Sequence, residues 1–180
     1  MVSMFRGINV SGQKKILMED LKNLYVKLGF KDPVTYIQSG NVIFKPDENI
    51  SAAELKSKIE NAVLKKYGFS VSVILRTGDE LNLVLNSNPL VNKSNLSIQR
   101  MYVTFLDKIP EKILSENIKS FSYPPDKFIH INREIYIYCP DSYGNTKLTN
   151  NFFEKKLNVS ATTRNWKTVN KLAELASALH

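Results

Sequence analysis

Apolar positions along the chain alternate between two spacings, and the changes predict where strands and helices lie. Residues 1–10, MVSMFRGINV, form a mostly apolar run that predicts a first strand. From Ile16 and Leu17 to Leu28, apolar residues recur every three or four positions, and Gly29 is expected to end this helix. Residues 35–44, TYIQSGNVIF, are rich in β-formers and broken by Ser39-Gly40, which indicates a hairpin.

A second helix is predicted over residues 51–68. Ser51 can accept a hydrogen bond at its start, Glu54 three positions later completes a capping box, and Gly68 is suited to end it. Residues 69–77 then predict a strand and residues 79–85 a short helix. The first half of the chain therefore has the order β-α-β-β-α-β-α.

The same order recurs after a connector at residues 86–97, which is rich in Asn, Ser and Pro. A strand is predicted at 100–106, a helix at 110–121, a hairpin turning at Asn132-Arg133, a helix at 148–157, a strand at 159–164 and a helix at 165–179. We therefore predict an α+β fold. It is a tandem duplication of two ferredoxin-like βαββαβ units, each with an extra C-terminal helix, spanning residues 1–90 and 91–180.

Side-chain alternation assigns the hairpin residues to the two faces of each predicted sheet. A two-residue turn at Ser39-Gly40 would pair Gln38 with Asn41. The helix-covered faces would then carry Thr35, Ile37, Val42 and Phe44 in one unit, and Phe128, His130, Ile135, Ile137 and Cys139 in the other. The opposite, open faces would carry Tyr36, Gln38, Asn41 and Ile43, and Ile129, Ile131, Glu134, Tyr136 and Tyr138.

Tyrosines on open sheet faces have two interpretations. RNA-recognition modules stack bases on such faces, but neither NVIFKP nor EIYIYCP matches their aromatic signature. The tyrosines could instead seal the two units together or pair across a dimer. The missing signature favours the second interpretation.

Composition narrows the class of protein further. The 180 residues are 43% hydrophobic and 23% charged, as in ordinary soluble domains. No apolar stretch is long enough to span a bilayer, and the N-terminus lacks the features of a signal peptide. Cys139 is the single cysteine, so no internal disulfide can form. We therefore expect a cytoplasmic protein without a membrane partner.

The net charge of +8 raises the question of a nucleic-acid partner. Residues 1–90 carry 12 basic and 9 acidic side chains, and residues 91–180 carry 13 and 8. The excess is thus spread over both halves, and charge alone does not separate a polyanion track from a solvated surface.

The sequence lacks the motifs of several common metal, catalytic and cofactor sites. The chain has two histidines, His130 and His180, and no CxxC or HExxH motif, so we expect no metal site. Neither a nucleophile elbow nor a glycine-rich phosphate loop occurs, and we expect no cofactor. Cys139 and His130 would lie about four residues apart along the hairpin, or ~14 Å, too far for a catalytic pair. Cys139 is expected to be buried and inert.

Three strand-to-helix junctions carry polar and basic groups, and free N–H groups at helix starts favour anions. The first holds Arg6, Asn9, Ser11, Gly12, Lys14 and Lys15, the second Gly144 to Lys147, and the third Arg164 and Asn165. Arg6 is expected inside a central strand, where its guanidinium must find an acid, carbonyls, water or a bound anion. The candidate ligand-binding residues are Arg6, Asn9, Tyr36, Gln38, Asn41, Lys147, Arg164 and Asn165.

Several segments together resemble a bacterial family known as domain of unknown function 1697. They include FRGINVSGQKK, YIQSGNVIF, ILRTGDEL, EIYIYCPDSYGNTKL and ATTRNWKTVNKL. The resemblance implies the same tandem ferredoxin-like architecture and supplies no reaction. The positions corresponding to the family's motifs are Arg6, Gly7, Asn9, Tyr36, Gln38, Ser39, Gly40, Asn41, Lys147, Leu148, Arg164, Asn165 and Trp166.

The leading hypothesis is a non-enzymatic binding protein for an anionic ligand, either a nucleic acid or a phosphorylated small molecule. One alternative is a small-molecule enzyme in which Arg6 or Arg164 stabilises developing charge and Tyr36 acts as an acid. The other is an oligomeric interaction protein whose sheet faces pair. The sequence assigns no catalytic residue and leaves the oligomeric state open.

Overall fold

A computed structural model describes residues 1–10, 12–47, 49–91 and 95–179. Five residues covered by the predictions above lie outside the described ranges: Ser11 of the first junction, residues 92–94 of the connector, and His180.

The first half of the chain builds one antiparallel sheet with the strand order β2-β3-β1-β4. Its elements are β1 Val2–Phe5, α1 Met18–Lys27, β2 Lys31–Tyr36, β3 Asn41–Lys45, α2 Ala52–Tyr67, β4 Val73–Arg76 and α3 Gly78–Asn86. The two strands that flank α1, β1 and β2, are separated in the sheet by β3, as the split βαβ pattern requires.

The second half repeats this connectivity in a sheet with the order β6-β7-β5-β8. Its elements are β5 Met101–Leu106, α4 Lys112–Asn117, β6 Lys127–Ile131, β7 Glu134–Tyr138, α5 Asn150–Leu157, β8 Ala161–Asn165 and α6 Trp166–Ala178. The α+β fold of two ferredoxin-like βαββαβ units, each followed by a helix, is therefore confirmed. None of the helices in the described ranges is long and apolar enough to cross a membrane.

Grouping residues by proximity gives two compact units. One contains Met1–Leu81 together with the chain from Lys171 onward, and the other contains Asn82–Asn170. The end of α6 thus belongs to the first unit and most of α3 to the second. The boundary between residues 90 and 91 stays a prediction.

The capping box predicted for α2 is present. The Ser51 Oγ accepts a hydrogen bond from the Glu54 backbone N–H at 3.3 Å, and the Glu54 carboxylate accepts from the Ser51 N–H at 3.0 Å. Hydrogen bonds from the Ser51 side chain and backbone lower the pKa of Glu54. Gly68 ends the helix in the left-handed conformation, at φ 76°.

The helix-covered face of each sheet forms a core. In the first unit, Phe5, Val42, Phe44 and Val73 join buried residues of α1 and α2. In the second, Leu106, Ile135, Ile137, Cys139 and Ala161 join Phe153 and Leu157 of α5. The face assignment of the second hairpin is confirmed, because Ile131 pairs with Glu134 across the predicted turn.

The register predicted for the first hairpin is wrong. Tyr36 pairs with Asn41, and Thr35 with Val42, so residues 37–40 form a four-residue turn. Because the slip is two residues and strand side chains alternate with a period of two, Thr35, Val42, Tyr36 and Asn41 keep their predicted faces. Ile37 instead lies in the turn and is 46% exposed.

The opposite faces, predicted to be free of the helices that cover the cores, are buried at their centres. In the first sheet Val2, Met4, Ile43 and Ile74 are buried, and in the second Met101, Val103, Phe105 and Tyr136 are buried. Within the second unit, the Tyr136 hydroxyl donates to the Val84 carbonyl of α3 at 3.2 Å. Helix α3, which follows β4, therefore helps to cover this face of the second sheet. Tyr36 and Tyr138, on outer parts of the faces, are half-buried.

Candidate ligand-binding site

The first junction places Arg6 differently from the sequence prediction. Strand β1 ends at Phe5, and the Arg6 backbone N–H makes one last bond to the Ser72 carbonyl at 2.9 Å. The chain then bends through Gly7 and Asn9, which have positive φ values of 67° and 56°. Arg6 is consequently half-buried at the end of a strand rather than enclosed within one, because the backbone leaves the sheet there.

Asn9 ties the junction to the first hairpin turn. Its Nδ2 donates to the carbonyls of Ile16 and Gln38, each at 2.9 Å, and its Oδ1 accepts from the Ile16 N–H at 2.8 Å. Asn9 and Gln38 are therefore brought together as predicted site residues, but Gln38 contributes its backbone and its side chain is exposed. Through these three hydrogen bonds, the Asn9 side-chain amide joins the loop between β1 and α1 to the first hairpin turn.

Asn41 and Gly40 shape the same turn. The buried Asn41 amide donates to the Tyr36 carbonyl at 2.9 Å and to Ser39 Oγ at 3.1 Å. Gly40 lies against the core: a Cβ built there would be 2.4 Å from Ile8 Cδ1. The motif YIQSGNV thus specifies a tight turn packed on the core, and the Asn41 side-chain amide is engaged in that structure.

Arg164 is buried in β8 opposite Val103. Its Nη1 donates to Thr162 Oγ1 at 2.8 Å and to the Thr163 carbonyl at 2.9 Å, and burial lowers its pKa to about 10. Asn165 accepts a hydrogen bond from the Thr168 N–H at 2.8 Å and so caps α6. The third junction is therefore a buried arginine followed by a helix cap.

Arg76 is the corresponding residue of the first unit, and the sequence analysis missed it. It ends β4 opposite Val2, is 1% exposed, and donates from Nη1 to the Leu75 carbonyl at 2.8 Å. Thr77 and Glu80 then form a reciprocal capping pair for α3. One sequence signal could have identified Arg76: an arginine stands directly before a capping residue in ILRTGDE and again in ATTRNWK.

Lys147 is not at a helix start, contrary to the prediction. Helix α5 begins at Asn150, and Thr149 caps it by accepting from the Phe152 N–H at 3.2 Å. Lys147 lies in the preceding loop, where its Nζ is 5.7 Å from the centroid of the Tyr123 ring. The sequence therefore identified Lys147 as a candidate, but it did not predict that Lys147 lies in a loop beside an aromatic ring.

Two cavities flank the segment that contains Tyr123. One has a volume of about 390 Å³ and is lined partly by Thr146, Lys147 and Asp141. The other has about 380 Å³ and is lined partly by Lys119, Lys127 and Phe128. Ser122, Tyr123 and Asp126 line both. Both cavities lie within the second unit, and each offers ring surface next to ammonium groups.

The rings at these cavities belong to a connected aromatic cluster. Phe152 makes edge-to-face contacts with Phe121 and Tyr123, with centroids 5.5 and 5.6 Å apart. Phe128 packs on the buried Phe153 at 5.7 Å. A second ammonium, Lys156 Nζ, lies 4.4 Å from the Phe121 centroid. Packing at their edges holds Phe121, Tyr123 and Phe128 half-buried and in fixed orientations.

A polar network underlies the first cavity. Thr146 Oγ1 donates to Asp126 Oδ2 at 2.5 Å and accepts from the Leu148 N–H at 3.1 Å. Burial raises the pKa of the neighbouring Cys139 thiol to about 11, and Asp126 adds to the rise. The predicted burial of Cys139 is confirmed, and its inertness stays a prediction. Among the described residues, no group of three or more His, Cys, Asp or Glu is placed to hold a metal ion.

The fold and the cavities define a class: a tandem ferredoxin-like α+β protein with an aromatic and basic surface on its second unit. Residues 1–136 match the family described as "Protein of unknown function (DUF1697)", and the chain belongs to that family. Its fold is similar to that of the conserved bacterial protein SP0830 from Streptococcus pneumoniae, at 24% identity, a TM-score of 0.74 and 97% coverage of each chain. No curated protein matches the chain.

Proposed function

We propose that this is a non-enzymatic cytoplasmic binding protein for an anionic ligand, either a nucleic acid or a phosphorylated small molecule. The observation that carries the proposal is Lys147, whose ammonium lies over the Tyr123 ring at the edge of a cavity of about 390 Å³. A cavity of that size can hold a small ligand.

The charges around the two cavities support an anionic ligand. Lys119, Lys127 and Lys147 line them, whereas the acidic lining residues are Asp126 and Asp141. The three lysines are exposed, and Lys119 is already ion-paired with Glu116 at 2.9 Å, so Lys127 and Lys147 contribute most of the attraction for a phosphate. Asp126 accepts a hydrogen bond from Thr146, which holds the carboxylate in place and leaves its negative charge, so the lysines outnumber the acids by three to two.

The predicted residues of the first junction support this function less well. Asn9 and Asn41 use their amides to hold the loops, and Lys14 Nζ donates to the Ser70 carbonyl at 2.7 Å. Arg164, which the enzymatic alternative assigns to charge stabilisation, is buried and bonded within its own strand. Among the predicted residues, Lys147 lines one of the two cavities described for the second unit.

The experiment measures binding of two labelled probes, a fluorescent ATP analogue and a short single-stranded oligonucleotide, by anisotropy at low salt. We expect at least one to bind, and its affinity to fall as salt rises. Lys147→Ala should weaken binding, whereas Lys45→Ala, which removes an exposed lysine of the first sheet, should not. The proposal fails if neither probe binds, or if Lys147→Ala binds as wild type does.

A further inference from the structure

We infer that the ligand is single-stranded nucleic acid that crosses both cavities, stacking bases near Tyr123 and Phe128 and placing phosphates near Lys147 and Lys127. This inference rests on the proposed function, because it identifies the ligand of the same site. It predicts that the bases, and not only the phosphates, contribute to affinity.

The first argument is a repeated pairing of a ring with an ammonium group. Lys147 lies over Tyr123, and Lys156 lies over Phe121. The two rings are two positions apart, so at most about 7 Å of chain separates them. A ligand that matches this repetition must itself repeat a flat ring and an anion at short intervals. A single strand of nucleic acid has that construction, and proteins that bind it combine a basic groove with aromatic stacking surfaces.

The second argument is the arrangement of the two cavities. They have similar volumes, about 390 and 380 Å³, and they share Ser122, Tyr123 and Asp126 as a common wall. Lys147 lines one cavity, and Lys119 and Lys127 line the other. A mononucleotide would occupy one cavity and leave the lysines of the other unused. A strand of at least two nucleotides uses both.

The third argument is the position of Asp126 in that common wall. A carboxylate there repels phosphate, so it does not suit a site for a purely anionic ligand such as polyphosphate. Carboxylates do accept hydrogen bonds from exocyclic amino groups, as Asp and Glu do with the N4 amino group of cytosine. Asp126 therefore favours a ligand that presents base edges between its phosphates.

A duplex fits this surface poorly. Its bases are stacked on one another, and their ring faces are unavailable to Tyr123 or Phe128. Aromatic side chains stack on nucleic-acid bases mainly where the bases are unpaired. The rings at the cavities are therefore useful only to a strand whose bases can turn outward.

The experiment compares three probes of equal length: oligodeoxycytidylate, an abasic deoxyribose-phosphate oligomer, and a fully paired duplex. Binding to the full-length protein is measured by anisotropy at low salt. We expect oligodeoxycytidylate to bind most tightly. Tyr123→Leu should weaken its binding roughly 5- to 140-fold, since removing one aromatic stack has that effect elsewhere. Tyr123→Phe, which retains the ring, should bind as wild type does.

Matched variants separate the contributions. Lys147→Ala should weaken binding of both oligodeoxycytidylate and the abasic oligomer, and it should reduce the log–log salt slope for single strands by about 0.7. Tyr67→Leu is the control, because Tyr67 is a half-buried tyrosine with Lys66 Nζ 5.0 Å from its ring centroid, away from both cavities. It should leave binding unchanged.

The outcomes distinguish the inference from the proposed function. If the abasic oligomer or the duplex binds as tightly as oligodeoxycytidylate, the inference fails, although anion binding stands. If none of the three probes binds but the ATP analogue used to test the proposed function does, the inference fails and a phosphorylated small molecule is favoured. If no probe binds, both fail. Should Tyr123→Leu not fold, the comparison of probes on the wild-type protein still decides.

Discussion

Gly40 provides the sharpest test of how the first hairpin turn packs. A Cβ built at this position would lie 2.4 and 2.9 Å from Ile8 Cδ1 and Cγ1, and 2.9 Å from Phe5 Cβ. Real Cβ atoms essentially never come that close to another heavy atom, and both neighbours are fully buried. Gly40 also has a φ of 73°, which costs an L-residue about 1–2 kcal/mol.

The expected loss for Gly40→Ala combines these two effects. Overpacking a well-filled core costs about 1–3 kcal/mol, so the total is about 2–5 kcal/mol of unfolding free energy. Gly68→Ala is the matched control, because Gly68 has a φ of 76° and its Cβ would meet nothing within 4 Å. Gly68→Ala should therefore lose only the cost of the left-handed backbone, about 1–2 kcal/mol of unfolding free energy.

Urea unfolding followed by circular dichroism measures the difference. With an m value of about 2 kcal/mol/M, the midpoint of Gly40→Ala should lie roughly 0.5–1.5 M below that of Gly68→Ala. Equal midpoints for the two variants would refute the packing argument, since they would show that only the left-handed backbone matters at Gly40.

Three further predictions concern other parts of the molecule. Asn9→Ala should lower the unfolding free energy by about 1–3 kcal/mol, because it leaves backbone groups of two loops without their partner, and it should not change oligonucleotide binding; a binding loss in a fully folded variant would contradict this. Cys139 should react with a thiol reagent far more slowly in the native than in the unfolded protein at pH 8, because the thiol is buried and its pKa is about 11; equal rates would contradict it. Glu54→Gln should be less stable than wild type at pH 7. Since the folded-state pKa of Glu54 is lowered, the difference should vanish as the pH falls through that lowered pKa, and a difference that persists at lower pH would exclude the carboxylate as its cause.

The order of strands and helices was predictable because hydrophobic spacing is a local property. The capping box of Ser51 and Glu54 and the end of α2 at Gly68 depend on residues within one helix, and both are present. Likewise, the second hairpin has its predicted register, because Asn132-Arg133 forms a two-residue turn between long β-rich runs.

Errors arose where the backbone departs from regular geometry. Gly7 and Asn9 adopt positive φ, so the strand that the apolar run predicted stops before Arg6. Ile37 also has a positive φ, 51°, which widens the first turn to four residues. Residue type alone gives little indication of this at an isoleucine, because β-branched residues rarely adopt that conformation.

Burial of the sheet faces opposite the helix-covered cores depends on contacts between residues that are distant in sequence. The hydroxyl of Tyr136 meets the Val84 carbonyl 52 positions earlier in the chain, and alternation within a hairpin cannot reveal such a partner. The cavity beside Lys147 also depends on residues that are distant in sequence. Lys147 and Tyr123 are 24 positions apart and lie in separate loops. The sequence could nominate Lys147 as a basic group, but only the fold places it beside an aromatic ring.

The most direct test of the account is to map where a ligand binds by nuclear magnetic resonance. Oligodeoxycytidylate is titrated into ¹⁵N-labelled protein at low salt, and the amide shifts are followed residue by residue. The account predicts that the largest changes fall within residues 119–130 and 141–147, which contain the residues lining the two cavities. Changes centred on Arg6, Lys14 and Lys15, or no changes at all, would contradict the claim that the second unit carries the binding site.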